Sequence, residues 1–179
     1  MTHTAQLDRG TLAAIRELLE MAYEDFSEND WQHTIGGMHA ILRAGEILVG
    51  HGAAVQRAFL HLPPGGTAWR KAKPLRVGYI EGVAVRADRR RRGIGGALTA
   101  RLDEVVRRAY DAGALSASDE GRSLYYAQGW VPWRGQTYVI SATGMTRTKE
   151  EDEGIFILPV TDLDVAGGLA CDWRSGDVW

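Results

Sequence analysis

Arginine and glycine crowd one stretch of the chain, Arg86-Ala87-Asp88-Arg89-Arg90-Arg91-Arg92-Gly93-Ile94-Gly95-Gly96. Before it runs an apolar segment ending in Val83-Ala84-Val85. After it Ile94, Ala97, Leu98, Leu102, Val105, Val106 and Ala109 recur at helical spacing. Such a loop can hold a phosphate or pyrophosphate. Its glycines let a ligand approach the main chain. The first amides of the following helix have no intrahelical partner, and the helix dipole favours an anion there. Guanidinium groups can pair with phosphate oxygens. Five arginines at the positive end of a dipole are badly placed unless an anion joins them.

Carboxylates carry the opposite chemistry. Glu81 interrupts the apolar run Gly78-Tyr79-Ile80-Glu81-Gly82-Val83-Ala84-Val85. An unpaired carboxylate on an apolar strand is costly, so Glu81 reads as functional. Other acids stand at Asp25, Asp30, Glu150-Glu151-Asp152-Glu153 and Asp177, with the carboxylate of Trp179 at the last position. A basic cluster and separate acidic ones suit one anionic and one cationic ligand. A large apolar residue at that last position suggests a tail that folds back and presents its carboxylate at a fixed place.

The elements that must position these groups follow from periodicity and punctuation. Leu12, Ile15, Leu18, Leu19 and Ala22 mark a helix over 11–23. Ser27 with an acid three residues on opens a short helix near Trp31, closed by Gly36-Gly37. Strands are predicted at 38–43 and 47–60, turning at Ala44-Gly45-Glu46, and a proline- and glycine-bearing loop at 61–74. A long central strand spans 75–85, and the helix from Ile94 ends near Gly113. A strand at 114–118, a helix at 120–128, strands at 130–133, 137–140 and 155–160, and an acidic loop at 146–154 complete the pattern.

The 179 residues, 45% apolar and 25% charged, describe one ordinary globular domain, 1–179. A net charge of −2 gives no general attraction to nucleic acid, and no aromatics for base stacking interleave the arginines. One cysteine, Cys171, permits no internal disulfide and fits a reducing, cytoplasmic setting. His33 and His39 match no zinc spacing and read as structural, so no metal is expected. No apolar segment reaches the roughly 18 residues of a membrane span, and Met1 to Arg9 lacks a signal-peptide core.

Arg90-Arg91-Arg92-Gly93-Ile94-Gly95 fits the Arg/Gln-x-x-Gly-x-Gly/Ala signature of the GNAT acetyltransferases, with strand and helix in register on either side. The element order is similar to that family's α/β (α+β) fold, a mixed, twisted sheet flanked by helices. In it a splayed central strand pair binds acetyl-CoA. Within that family the chain resembles the aminoglycoside 2'-N-acetyltransferases. The resemblance rests on Asp25-Phe26-Ser27, Asp30-Trp31, His33-Thr34-Ile35-Gly36-Gly37-Met38-His39, Gly78 to Val85, Leu115-Ser116-Ala117-Ser118, Leu124-Tyr125, Gly129-Trp130 and the tail from Cys171 to Trp179.

That resemblance implies acetyl transfer from acetyl-CoA, without a metal, to the 2'-amine of a polycationic aminoglycoside. It implies direct transfer in a ternary complex, and a homodimer. The cofactor contacts would be Val83, Ala84, Val85, Arg90, Arg91, Arg92, Gly93, Ile94, Gly95 and Gly96. The drug would meet Asp25, Asp30, Glu81, Gly82, Ser116, Glu151, Asp152, Asp177 and the Trp179 carboxylate. Glu81 would act as general base, directly or through water, because substrate amines arrive protonated. The Val83 N–H would polarise the thioester carbonyl. Tyr125, directly after the leucine, would be the general acid in preference to the adjacent Tyr126.

Overall fold

The computed structural model describes residues 1–66 and 68–179. The chain forms two compact units, Met1–Val55 with Tyr79–Val105, and Gln56–Gly78 with Val106–Trp179.

The first unit opens with β1 (Thr2–His3), α1 (Arg9–Ala22), α2 (Glu28–Thr34) and β2 (Met38–Ala44). It continues with β3 (Ile47–Leu62), β4 (Lys73–Val85) and α3 (Ile94–Ala109), each of which runs on into residues of the second unit. Asp8 starts α1 by accepting a hydrogen bond from the Thr11 N–H at 2.7 Å. Ile15, Leu18 and Leu19 form the buried stripe of α1, and with Leu48 and Ala84 they make the core of this unit. The predicted capping box opens α2, with Ser27 and Asp30 bonded reciprocally. Antiparallel pairing sets His39 opposite Ala53 and Ile41 opposite His51. His39 and His51 therefore share one sheet face as diagonal neighbours.

The second unit adds β5 (Ala112–Ser116), α4 (Arg122–Ala127), β6 (Val131–Pro132), β7 (Thr137–Ser141), β8 (Gly144–Arg147), β9 (Ile155–Pro159) and β10 (Gly168–Asp172). Strand order is β6-β9-β5-β4-β3-β10-β7-β8. The sheet is mixed: β9 runs antiparallel to β5, and β10 runs parallel to β7. Ile155, Phe156, Ile157 and Leu158 are all buried, the unbroken apolar run of a strand covered on both faces.

Several boundaries differ from the sequence reading. The strand expected at 114–118 begins two residues earlier, so Gly113 lies within β5 rather than at a helix end. It passes so close to Trp130 that a Cβ there would stand 2.7 Å from the ring. The predicted loop at 61–74 is shorter, because β3 continues to Leu62 and β4 starts at Lys73. The predicted helix at 120–128 contracts to Arg122–Ala127. Thr146 and Arg147, read as the start of an acidic loop, belong to β8, and Lys149–Glu151 form a 3-10 turn. β1 and β10 carry no strand signal in the sequence: one is very short, and the other, Gly-Leu-Ala-Cys-Asp, shows no clean alternation.

Candidate active site

In the first unit β4 carries Glu81, Gly82 and Val83 in succession. Gly82 has φ +54, a left-handed conformation. A Cβ there would stand 3.0 Å from the Thr34 side chain, so a larger residue would meet both strain and crowding. The carbonyls on either side of the Gly82–Val83 junction are held by side chains. His51 Nδ1 lies 2.8 Å from the Gly82 oxygen, and the Tyr23 hydroxyl donates to the Val83 oxygen at 2.8 Å. Tyr23 is exposed as a residue, but its hydroxyl end is desolvated. Burial, and then the Glu81 charge, push its pKa up to about 12, so it stays a donor.

Beyond Val85 the chain turns through a 3-10 segment, Ala87–Arg89, into α3. Arg91 takes φ 58 and Gly93 φ 79. A left-handed arginine costs roughly 1–3 kcal/mol, and such strain clusters at ligand sites. Alternating handedness next to a helix N-terminus turns successive N–H groups inward as an anion-binding nest. Arg86 and Arg89 share Asp88, at 3.0 and 3.4 Å, and Arg90 Nε donates to the Val85 oxygen at 3.2 Å. Among the described residues Arg91 and Arg92 pair with no carboxylate, and both are exposed. A cavity of about 350 Å³ beside this turn is lined by the apolar Leu18, Met21 and Val85 and by Arg86, Arg90 and the Asp88 carboxylate that pairs with Arg86. Its apolar wall and cationic rim fit an anionic nucleotide cofactor with an apolar arm. Asp25 is exposed, while the Asp30 carboxylate also caps α2 through Ser27.

In the second unit Ser116 ends β5 opposite Ile155. Its hydroxyl lies near Gly154, whose N–H donates to the Glu151 oxygen at 3.1 Å. Burial, then the charges of Asp177 and Glu150, raise the Glu151 pKa. Asp152 differs from Glu151: it is ion-paired with Arg147 and accepts from Thr137 Oγ1 at 3.1 Å. It lines a separate cleft of about 820 Å³ with Arg122, Tyr126, Trp133 and Arg147. Glu151 thus sits among like charges, while Asp152 is paired with Arg147.

The tail does fold back. Trp179 is 3% exposed, stands edge-on to Phe59 at 5.3 Å and donates from Nε1 to Thr148 Oγ1 at 3.0 Å. Its main-chain oxygen accepts from Arg174 at 3.0 Å. Tyr125 is buried on α4, edge-on to Trp130 at 5.8 Å, whereas Tyr126 is 54% exposed and meets Phe156 at 5.0 Å. Cys171 is fully buried. Desolvation pushes its thiol up to about 11, so it is no nucleophile at neutral pH.

Three comparisons bear on these features. The profile of the Acetyltransferase (GNAT) family matches residues 10–130, which span the arginine–glycine turn with β4 before it and α3 after it. The chain belongs to the GNAT acetyltransferase family. Among GNAT relatives, it is 44% identical over 185 residues to the aminoglycoside 2'-N-acetyltransferase of Mycolicibacterium fortuitum. That match covers 100% of this chain and 90% of the relative. GNAT structures share the fold at low identity. An acyl-CoA N-acyltransferase from Pseudomonas aeruginosa superposes with a TM-score of 0.59 at 16% identity, covering 88% of this chain and 95% of the other. A Mycobacterium tuberculosis protein solved with CoA superposes with a TM-score of 0.53 at 15% identity, covering 87% and 98%. The mixed sheet with flanking helices is therefore the GNAT fold, and the protein is an acetyltransferase.

Tyr23 and His51, which reach carbonyls of β4, and His39, which backs His51, are polar residues that the sequence does not connect to that strand. Two lie in buried or apolar-looking segments, and only three-dimensional proximity to the carbonyls of 82 and 83 distinguishes them. A partial signal existed: His39 and His51 sit in otherwise apolar strands, as Glu81 does.

Proposed function

We propose that this GNAT enzyme moves the acetyl group of acetyl-CoA to the 2'-amine of an aminoglycoside antibiotic, by direct transfer in a ternary complex. The observation that carries this reading is the 44% identity along the entire chain to a 2'-N-acetyltransferase. Local chemistry supports it. The turn from Arg90 to Gly96 suits the phosphates of coenzyme A, and Val83, Ala84 and Val85 suit its extended arm. Asp25, Asp30, Glu81, Glu151, Asp152 and Asp177 offer carboxylates to a polycation, and Gly82, Ser116 and Trp179 complete the proposed contacts.

Acetyl-CoA supplies an acetyl thioester with a thiol leaving group. Glu81 takes the proton that makes the substrate ammonium a nucleophilic amine, directly or through a water. The Val83 N–H donates to the carbonyl oxygen as charge builds there. Tyr125 returns a proton to the departing sulfur. Cys171, a neutral thiol, takes no part. We further propose a cytoplasmic homodimer, to be checked by sedimentation.

Thiol release from acetyl-CoA tests the reading, with gentamicin, tobramycin, kanamycin B and spermidine as acceptors. The expected result is turnover of the drugs bearing a 2'-amine, with one acetyl added there. Kanamycin A and amikacin, which carry a 2'-hydroxyl, should stay silent. Turnover of spermidine alone would leave the acetyltransferase and overturn the acceptor.

A further inference from the structure

Gly82 sits at the left-handed position of β4, and its carbonyl is met by an imidazole instead of being left to water. His51 Nδ1 lies 2.8 Å from it, His51 Nε2 lies 2.8 Å from His39 Nδ1, and His39 Nε2 lies 2.6 Å from Thr4 Oγ1. Both histidine side chains are 0% exposed, and the Thr4 hydroxyl also accepts the Gly36 N–H at 2.8 Å. The direction of this chain follows from its end. A carbonyl can only accept, so His51 must carry its proton on Nδ1. A neutral His51 then offers Nε2 as acceptor, which requires the His39 proton on Nδ1 as well. His39 Nε2 is then left to accept, and it lies nearer the Thr4 hydroxyl, at 2.6 Å, than the competing Gly37 oxygen does, at 3.2 Å. Burial keeps both rings neutral, lowering His39 to about 4 and His51 to about 3.

This is not a proton wire to Glu81, because a peptide carbonyl cannot pass a proton on. What it can do is orient a peptide plane. In a trans peptide the C=O and the following N–H point in opposite directions, and the described chain contains no cis peptide bond. Drawing the Gly82 oxygen toward His51 on β3 aims the Val83 N–H away from β3. A hydrogen bond donated to the carbonyl also polarises the same amide and makes its N–H a better donor.

We infer that His51, backed by His39 and Thr4, is a positioning residue that aims and polarises the Val83 N–H toward the acetyl carbonyl. The inference rests on the proposed role of Val83. It makes the histidine pair part of the catalytic frame, not mere core filling. It also explains why two imidazoles are buried in series behind the Gly82 carbonyl, where apolar side chains would pack at lower cost.

Two measurements test it. Nitrogen-15 correlation spectra of the wild-type protein should show His39 and His51 neutral at pH 6–8, each with its proton on Nδ1, the rarer tautomer. A proton on Nε2 of His51 would overturn the inference, whatever the variants do. In kinetics, His51→Phe keeps a ring but no donor, and His51→Asn restores a donor near the Nδ1 position. The expected outcome is a fall in kcat of about tenfold or more for His51→Phe, with KM for both substrates changed by less than about twofold. His51→Asn should recover most of that loss. Unchanged kcat in His51→Phe would overturn the inference, and so would an equal loss in both variants. Failure of the functional reading looks different: the wild-type protein would show no acetyl transfer although its tautomers were as expected.

Discussion

The Tyr23 hydroxyl donates to the Val83 carbonyl across 2.8 Å, joining the end of α1 to the residue proposed to face the acetyl group. This bond adds to the apolar packing of α1 on Ala84 of β4. Tyr23→Phe should cost about 1 kcal/mol of stability, the usual worth of one such bond. It should also lower kcat more than KM. Alkaline titration gives a second check. The folded pKa is raised from 10.0 to about 12, so the stabilisation is complete below pH 10 and is lost as pH rises from 10 toward 12. Melting temperatures should fall across that window in the wild type and less in the variant.

The buried histidine pair predicts the opposite response. His39 and His51 are lowered from 6.5 to about 4 and about 3, chiefly by burial. The unfolded chain therefore binds more protons below pH 6.5, and stability is lost as pH falls from 6.5 toward these values. The loss levels off once the folded histidines can protonate. Urea midpoints measured from pH 8 to pH 4 should fall on the acid side, and the slope should flatten in a His39→Asn, His51→Asn double variant. An unchanged slope would mean that carboxylates, not histidines, govern acid unfolding.

Glu81→Gln keeps the shape of the side chain and removes its basicity. We expect kcat/KM for the drug to fall about a hundredfold or more at pH 7, the usual range for losing a general base. The acidic limb of the pH–rate profile should disappear. A limb that persists would assign the base to another group.

Trp179 is sealed against Phe59 and tied to Thr148, whose hydroxyl donates to Thr137 Oγ1 at 3.0 Å. Thr137 in turn reaches Asp152, so the tail and the acidic turn form one hydrogen-bonded unit. Trp179→Ala should lower unfolding free energy by about 3 kcal/mol, as truncation of a buried tryptophan does. It should also raise KM for the drug with little change in KM for acetyl-CoA. Equal changes in the two KM values would detach the tail from drug binding.

Cys171 is buried, and its thiol donates to the Val178 carbonyl at 3.4 Å. Cys171→Ala should retain turnover within about threefold, because a thiol with pKa near 11 is protonated at neutral pH. A large loss in a variant that melts normally would argue for an acyl-enzyme and against direct transfer.

Much of this protein is legible along the chain. The helices at 9–22 and 94–109 announce themselves through apolar spacing, because a helix buries one stripe whatever lies opposite it. The arginine–glycine turn is readable for a similar reason: strand, glycines and helix start are local and contiguous. Glu81 stands out because a carboxylate on an apolar strand needs a purpose. Other features depend on residues far apart in sequence. β8 and β10 gain strand structure from their neighbours rather than from their own pattern. Glu151 and Asp152 are chemically alike and adjacent, yet one faces Asp177 and the other pairs with Arg147. No pattern in the chain reveals that division. Nor does it reveal that His51, backed by His39, and Tyr23 converge on two successive carbonyls. Hydrogen bonds between distant side chains and main chain have directions set by the tertiary fold, and composition and periodicity carry no record of them.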